Sequence, residues 1–261
     1  MSDHILVDVQ GGLARVTLNR PQQLNAVGSV AARRWREIAE DLTARDDVEA
    51  IILDAAGPAF CAGGDVMEMA AGGPDGALDG RLVTELADEI HAGHYAFQRG
   101  AKPIVAAVQG AVAGGGLGFM LVADYVVAAD RATFQSKYAD IGLTPDCGVS
   151  TLLPEAVGIR RALRLALTDL RLDAATAQEW ELVQEVVPAD EVAARAEEIA
   201  RGWMAGASVA FGHARRLIRA MPGRDYRDGL DDEARTIGAA IETSEAQARI
   251  AAFAARSSTR G

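Results

Sequence analysis

The chain has 261 residues, of which 49% are hydrophobic, so it has enough apolar side chains for a sizeable core and we predict a globular protein. Its 26 basic and 37 acidic residues give a formal net charge of -11, which repels phosphates and argues against nucleic acids and anionic membranes as partners. No apolar stretch reaches the roughly 18 residues of a membrane span, and the first residues lack a signal-peptide pattern, so we expect a cytoplasmic protein.

The predicted elements begin with β-structure. Alternating apolar residues over 4–9 and 13–18, separated by two glycines, predict a β-hairpin. Helical spacing and short apolar runs then predict, in chain order, a helix over 30–44, a strand over 48–53, a helix over 82–97, and strands over 104–108 and 125–129, with glycine-rich loops at 55–65 and 72–80.

The part of the chain after residue 158 is predicted to be mostly helical. Apolar residues at helical spacing indicate helices near 158–167, 190–204, 207–220 and 229–255. Because strands alternate with helices before this region, we predict an α/β fold with parallel strand pairing. The helical tail is of a kind that often packs on a neighbouring subunit.

Two glycine-rich segments follow predicted strands: Gly114–Gly116 in KPIVAAVQGAVAGGGLG (102–118), and AFCAGGD (59–65). Close packing of a helix on a strand would explain such glycines, whereas their spacing fits neither a dinucleotide fingerprint nor a P-loop. In a third interpretation a strand ends at Gln109, a helix begins at the glycines, and Asp65 caps a second helical turn, so that both loops offer free backbone N–H groups. If the two strands are neighbours, these donors converge as an oxyanion hole.

Five motifs in a fixed order carry a family resemblance. NRPQQLNA (19–26), AFCAGGD, KPIVAAVQGAVAGGGLG, ADYVVAADRATF (123–134) and IGLTPDCG (141–148) resemble the crotonase superfamily, the enoyl-CoA hydratase/isomerase family, and the resemblance extends to IAAF at 250–253. It implies a crotonase (ClpP-like) spiral of ββα units over residues 1–200, with the CoA and oxyanion site, and a helical oligomerisation or lid region over 201–261. It also implies acyl-CoA thioester substrates, no separate cofactor because coenzyme A is part of the substrate, and assembly as a homotrimer or a dimer of trimers.

The resemblance also assigns roles to individual residues. It makes the N–H groups of Gly64 and Gly115 the oxyanion donors. The family's hydratases use two glutamates, but Gly118 stands at the first position and Tyr138 near the second. Asp146 resembles instead the acidic residue of the superfamily's isomerases, and a lone carboxylate suits the transfer of a proton from one carbon to another. We therefore expect an enoyl-CoA isomerase, although Pro-Asp-x-Gly is also an ordinary turn sequence.

Several alternatives stay open. His91 and His94 lie three positions apart on a predicted helix, where a solvated face is expected and a metal pair is a minor possibility, so no metal is predicted. The family's 4-chlorobenzoyl-CoA dehalogenases have an aspartate nucleophile at the position of Asp146, a histidine near His91 and a tryptophan where Tyr138 stands. An atypical hydratase and a non-catalytic acyl-CoA-binding protein are the other candidates.

Contacts with coenzyme A are less clearly marked in the sequence. Gln22 and Met67 stand where relatives often have lysines, so Arg20 or late arginines would have to bind the phosphates. Phe253 resembles an aromatic residue that packs near the adenine in relatives. Cys61 is expected to be a small packing residue and not a nucleophile. The residues expected to contact substrate or coenzyme A are Arg20, Gln22, Leu24, Ala62, Gly64, Asp65, Gly115 and Phe253.

Overall fold

The computed structural model describes residues 3–72 and 79–258, which form two sheets surrounded by helices. In the described residues the strands are β1 (Ile5–Gln10), β2 (Leu13–Leu18), β3 (Ala50–Ala55), β4 (Ala59–Cys61), β5 (Ile104–Val108), β6 (Ala111–Ala113), β7 (Tyr125–Ala129), β8 (Thr133–Gln135), β9 (Arg171–Asp173) and β10 (Glu185–Val187).

The larger sheet has the strand order β1-β2-β3-β5-β7-β10, and the smaller sheet has the order β4-β6-β8-β9. Only the β1–β2 hairpin and the β8–β9 pair are antiparallel among these strands. Each of β3, β5 and β7 is followed within a few residues by a short strand that joins the smaller sheet. This repetition is the crotonase spiral, so the predicted fold class is confirmed.

Helices separate and follow these strands in the described residues. They are α1 (Ser29–Ala44), α2 (Val66–Ala70), α3 (Gly80–Arg99), α4 (Gly116–Leu121), α5 (Val149–Val157), α6 (Ile159–Ala166), α7 (Ala174–Glu179), α8 (Val192–Ala205), α9 (Ser208–Arg219), α10 (Tyr226–Ile241) and α11 (Ser244–Ser258), with 3-10 turns at Pro21–Gln23 and Ala139–Ile141. None of these helices is long and apolar enough to cross a lipid bilayer.

The close approach of α1 and α3 is set by a single glycine. A Cβ atom on Gly93 would lie 2.4 Å from Cδ1 of Trp35, so only glycine lets the two helices pack at this separation. Trp35 is fully buried, and its ring contacts Phe119 of α4 with a centroid distance of 4.6 Å. The aromatic core therefore connects α1, α3 and α4 directly.

Most of the long helices and strands were predicted and are confirmed, whereas the three-residue strands were not predicted. The hairpin, the helices over 30–44 and 82–97, and the strands over 104–108 and 125–129 are present, with small shifts at the ends. The strand predicted over 48–53 lies at Ala50–Ala55, and the single helix predicted over 229–255 is wrong because α10 and α11 are separate helices. Residues 73–78 of the predicted loop 72–80 lie outside the described part of the chain.

A buried ion pair helps to anchor the C-terminal helices to the core. Nε of Arg215 on α9 lies 2.5 Å from Oδ2 of Asp124, and Oδ2 also accepts the N–H of Ile104. Beyond α9 little is buried, since Gly229 is the one buried residue of α10 and α11 among those whose burial is described. The boundary at residue 200 between a core and a C-terminal region stays a prediction.

Candidate active site

The two glycine-rich loops lie side by side because β4 and β6 are parallel neighbours. Ala59 pairs with Ala111 in this sheet, and both strands end at the same edge. Gly63 follows β4 with a φ of 97°, and a Cβ atom on it would lie 3.0 Å from the backbone nitrogen of Gly115. Only glycine therefore brings the backbone after β4 this close to Gly115.

Two backbone donors at this edge are free. Within residues 3–72 and 79–258, the N–H groups of Gly64 and Gly115 have no hydrogen-bond acceptor, although those of Asp65 and Gly114 do. Asp65 N donates to the carbonyl of Val27, and Gly114 N donates to that of Gln135. The site can therefore offer two preorganised donors to one oxygen atom, which is what an oxyanion hole requires.

A buried asparagine holds the first of these loops in place. Nδ2 of Asn25 donates to the carbonyls of Ala56 and Ala59, both at 2.9 Å. The backbone carbonyl of Asn25 accepts a hydrogen bond from the thiol of Cys61. Burial raises the pKa of Cys61 to about 12, so its thiol stays neutral and packs as the sequence led us to expect. The role of Asn25, which has a φ of 58°, was missed, although a Leu-Asn pair after a Pro-containing turn is a signal for such a conformation.

Asp65 and Arg20 form an ion pair beside the same loop. Oδ1 of Asp65 accepts the N–H of Glu68, so the predicted helix cap is confirmed, and Oδ2 lies 2.8 Å from Nη1 of Arg20. Burial opposes ionisation of Asp65, but its hydrogen bonds with Arg20 and with the Glu68 N–H hold its pKa below the ordinary value. Nη1 of Arg20 also donates to the Ala26 carbonyl. Nη1 of Arg20 is therefore engaged by the protein itself, and a contact of Arg20 with a phosphate stays a prediction.

The loop that carries Asp146 packs directly on α4 at Gly118. A Cβ atom on Gly118 would lie 1.9 Å from the carbonyl oxygen of Cys147, so no other side chain fits at position 118 without moving this loop. Cys147 has a φ of 49° and Gly148 a φ of 72°, and the two residues turn the chain sharply into α5. The position of the family's first glutamate is thus occupied by the backbone of the Asp146 loop.

The carboxylate of Asp146 lies next to the donor at Gly115. Its Oδ1 atom is 3.6 Å from the position of a Cβ atom on Gly115, and it accepts a 2.6 Å hydrogen bond from the hydroxyl of Tyr138. Burial, followed by the neighbouring Cys147 and Asp146, raises the pKa of Tyr138 far above its ordinary value. Tyr138 therefore stays protonated and acts toward Asp146 as a hydrogen-bond donor.

The two histidines of α3 have different environments. Nε2 of His91 accepts the N–H of Cys147 at 3.1 Å, so His91 belongs to the site. His94 is only 5% exposed, and Nε1 of Trp35 donates to its Nδ1 at 2.8 Å. Burial, with a smaller effect of His91, lowers the pKa of His94 to about 3. A solvated face was therefore wrong for His94, and no metal-binding group of three His, Cys, Asp or Glu residues is found in the described part of the chain.

The remaining residues expected to contact coenzyme A lie near the surface. Gln22, Leu24 and Ala62 are exposed, and Ala62 N donates to the carbonyl of Leu24 at 3.0 Å, so these two residues adjoin each other close to Gly64. Phe253 is 67% exposed on α11. Their contacts with coenzyme A stay predictions.

Comparison with known proteins agrees with this geometry. The family model for enoyl-CoA hydratase/isomerase matches residues 8–259. The chain belongs to the enoyl-CoA hydratase/isomerase family. It is thus an acyl-CoA enzyme of that family, and the resemblance identified from the sequence is confirmed.

Individual members of the enoyl-CoA hydratase/isomerase family that resemble the chain differ in their named reactions. The chain is 33% identical over 206 residues to the 1,2-epoxyphenylacetyl-CoA isomerase of Escherichia coli (strain K12), covering 77% of this chain and 76% of that protein. It is 32% identical over 250 residues to the 4-chlorobenzoyl coenzyme A dehalogenase-2 of Arthrobacter sp, covering 96% and 90%. The crystal structure of an enoyl-CoA hydratase from Bacillus anthracis matches with a TM-score of 0.88 and 27% identity, covering 97% and 96%. Overall similarity therefore does not choose among these reactions.

Proposed function

We propose that this enzyme shifts a double bond in an enoyl-CoA thioester through an enolate. The observation that carries the proposal is the position of Asp146, whose carboxylate lies beside Gly115 while the Cys147 carbonyl excludes a side chain at position 118. One carboxylate next to two free backbone donors is sufficient for removing and returning a proton, whereas the hydratase pair of glutamates is missing.

In the proposed reaction the thioester oxygen accepts the N–H groups of Gly64 and Gly115. Ionised Asp146 removes a proton from C2 of a 3-enoyl thioester, and the electron pair moves onto the thioester oxygen as a dienolate. Protonated Asp146 then returns the proton to C4, which leaves the double bond conjugated with the carbonyl. Loss of one such oxyanion donor typically costs about 2.7 to 4 kcal/mol of transition-state stabilisation.

The hydrogen bond from Tyr138 makes the two carboxylate oxygens of Asp146 inequivalent. Because its hydroxyl donates to Oδ1 of Asp146 at 2.6 Å, this oxygen is engaged and the other is left to accept the substrate proton. The hydrogen bond also fixes the direction of the carboxylate relative to Gly115, which favours a short proton transfer.

Dehalogenation is the second candidate, because Asp146 could attack an aryl carbon covalently and a histidine would then activate water. The lone pair of His91 that this role needs already accepts the N–H of Cys147, which favours the isomerase. An atypical hydratase would need another acid in place of the missing glutamates. A non-catalytic acyl-CoA-binding protein would use the same donors without turning over any ester.

Incubation with a 3-enoyl-CoA ester, followed by the absorbance of the conjugated product, tests the proposal. We expect Asp146→Asn to lower kcat by about 10²- to 10⁴-fold, the usual contribution of a positioned acid/base. Asp140→Asn is the matched control, because Asp140 is exposed and pairs with Lys137 on the surface.

Undiminished turnover in Asp146→Asn would refute the assignment of this residue. Parallel assays separate the alternatives: chloride release from 4-chlorobenzoyl-CoA identifies a dehalogenase, and loss of 2-enoyl-CoA absorbance identifies a hydratase. Saturable binding of the esters without any conversion identifies a non-catalytic binding protein.

We also propose that the chain assembles as a homotrimer or a dimer of trimers through its C-terminal helices. Large apolar side chains on α10 and α11 are exposed in the single chain, including Ile237 at 71% and Ile250 at 51%. Such surfaces on consecutive helices are typical of subunit interfaces.

A further inference from the structure

The segment Asp146–Gly148 takes a backbone conformation that it would not adopt alone. Cys147 has a φ of 49°, a left-handed conformation that is unfavourable for a residue with a side chain. Three contacts hold it: its carbonyl packs on Gly118, its N–H donates to Nε2 of His91, and the neighbouring Asp146 carboxylate accepts the Tyr138 hydroxyl. Of these contacts, the one made by His91 requires a ring nitrogen that carries no proton.

The hydrogen bond defines the protonation state of His91. An imidazole nitrogen that accepts an N–H carries no proton of its own, so His91 is neutral with its proton on Nδ1. Protonation of His91 would place an N–H at Nε2, facing the N–H of Cys147, and would turn an attraction into a repulsion. The loop would then lose the contact made by the Cys147 N–H, next to Asp146 along the chain.

The titratable groups around His91 come from three elements. His94 lies one turn along α3, Asp146 and Cys147 lie in the loop, and Tyr138 lies on the other side of the Asp146 carboxylate. His94 stays neutral because burial lowers its pKa to about 3, and burial raises the pKa values of Cys147 and Tyr138 above their ordinary values. None of these three groups therefore gains or loses a proton near neutral pH.

We propose that His91 is a positioning residue whose neutral form holds Cys147 N–H and so keeps the Asp146 carboxylate beside Gly115. On acidification His91 is protonated, the loop is released, and the proton transfer slows. The inference rests on the proposed isomerase function, and it assigns to His91 the part of a hydrogen-bond acceptor and not that of a base.

Two substitutions of His91 distinguish its role as a hydrogen-bond acceptor from its ability to bind a proton. In His91→Gln the side-chain carbonyl oxygen can accept the Cys147 N–H at any pH, whereas His91→Phe fills the space without an acceptor. We expect kcat of the wild type to fall on acidification, when a proton at Nε2 removes the acceptor. We expect His91→Gln to keep most of kcat at pH 7.5. The acid limb of its pH profile, the range in which kcat falls on acidification, should lie about one pH unit or more below that of the wild type, because its acceptor does not titrate.

His91→Phe should lose about tenfold or more in kcat at every pH, with KM nearly unchanged, because the hydrogen bond is lost and the base is misplaced. His4→Gln is the control, since His4 precedes β1 and is not among the residues of the site; its acid limb should match that of the wild type. An unshifted limb in His91→Gln would overturn the proposal. So would a kcat of His91→Gln as low as that of His91→Phe, which would indicate that His91 is a base.

A spectroscopic test does not depend on turnover. In protein labelled with ¹⁵N-histidine, and with the His91 signals assigned by their absence in His91→Gln, long-range correlation spectra report which ring nitrogen carries the proton. We expect a protonated Nδ1 and an unprotonated Nε2 at pH 7.5. A proton on Nε2 at that pH overturns the proposal. If the wild type converts no 3-enoyl-CoA ester, the proposed function fails, while the ring-nitrogen result still decides whether His91 is the acceptor.

Discussion

At the scale of single residues, the site depends on which group donates and which accepts. Tyr138 stands near the position of a hydratase glutamate, yet it is a donor, and its partner Asp146 is the only one of the two that can take up a substrate proton. Arg20 and Asp65 form an ion pair beside the loop that carries Gly64. Their contacts with coenzyme A stay predictions.

Replacement of Tyr138 by phenylalanine tests the importance of its hydroxyl. We expect Tyr138→Phe to lower kcat about tenfold or more, because hydrogen bonds to charged groups contribute about 1.5 to 3 kcal/mol, while KM should change little. Steady-state kinetics with a 3-enoyl-CoA ester measure both constants. Tyr125→Phe is the control, since Tyr125 donates to Glu185 at 3.4 Å. Equal kcat values in the two variants would contradict the role given to Tyr138.

At the scale of elements, short strands and close helix contacts bring the site together. β4 and β6 have three residues each, but their parallel pairing puts the loops with Gly64 and Gly115 at one edge. From the sequence, the second strand end was predicted at Gln109, which precedes β6. Two strand ends do converge as predicted, but they belong to β4 and β6, which the sequence did not reveal. A three-residue strand is too short for periodicity to reveal.

The contact between α4 and the Asp146 loop can be tested at Gly118. In Gly118→Ala the added Cβ atom would clash with the Cys147 carbonyl, so we expect the free energy of unfolding to fall by about 1 to 3 kcal/mol. The activation free energy for kcat should rise by more than this amount. Urea unfolding and isomerase kinetics measure these effects. The control is Gly202→Ala in α8, where a Cβ atom meets nothing within 4 Å and should be neutral or stabilising. Wild-type stability and kcat in Gly118→Ala would show that the loop is held differently.

At the scale of the whole molecule, the chain consists of a spiral core and helices that extend from it. Arg215 fastens α9 to the core through Asp124, with Nη1 also donating to the carbonyls of Phe97 and Gly100. Beyond this anchor, α10 and α11 carry exposed apolar residues that a single chain leaves uncovered. The proposed oligomer would cover them with a second subunit.

Light scattering during size-exclusion chromatography measures this assembly. For a chain of 27.4 kDa we expect the mass of three or six subunits, and a monomer mass would contradict the proposal. Ile237→Asp should shift the mass downward, because a charge at 71% exposed Ile237 would be buried without a partner in an interface on α10. Leu6→Asp, on the exposed side of β1, should leave the mass unchanged.

The sequence by itself determined the family, the order of the long elements and the two glycine loops, and it predicted Asp146 as the carboxylate of the site. These features are local, because a glycine at a positive φ or an apolar periodicity depends on consecutive residues. Only the tertiary structure decided how position 118 is filled, that Tyr138 donates to Asp146, that Asp65 engages Arg20, and that His91 and His94 differ. Each of these depends on a contact between residues separated along the chain, whose distance and burial no local pattern encodes.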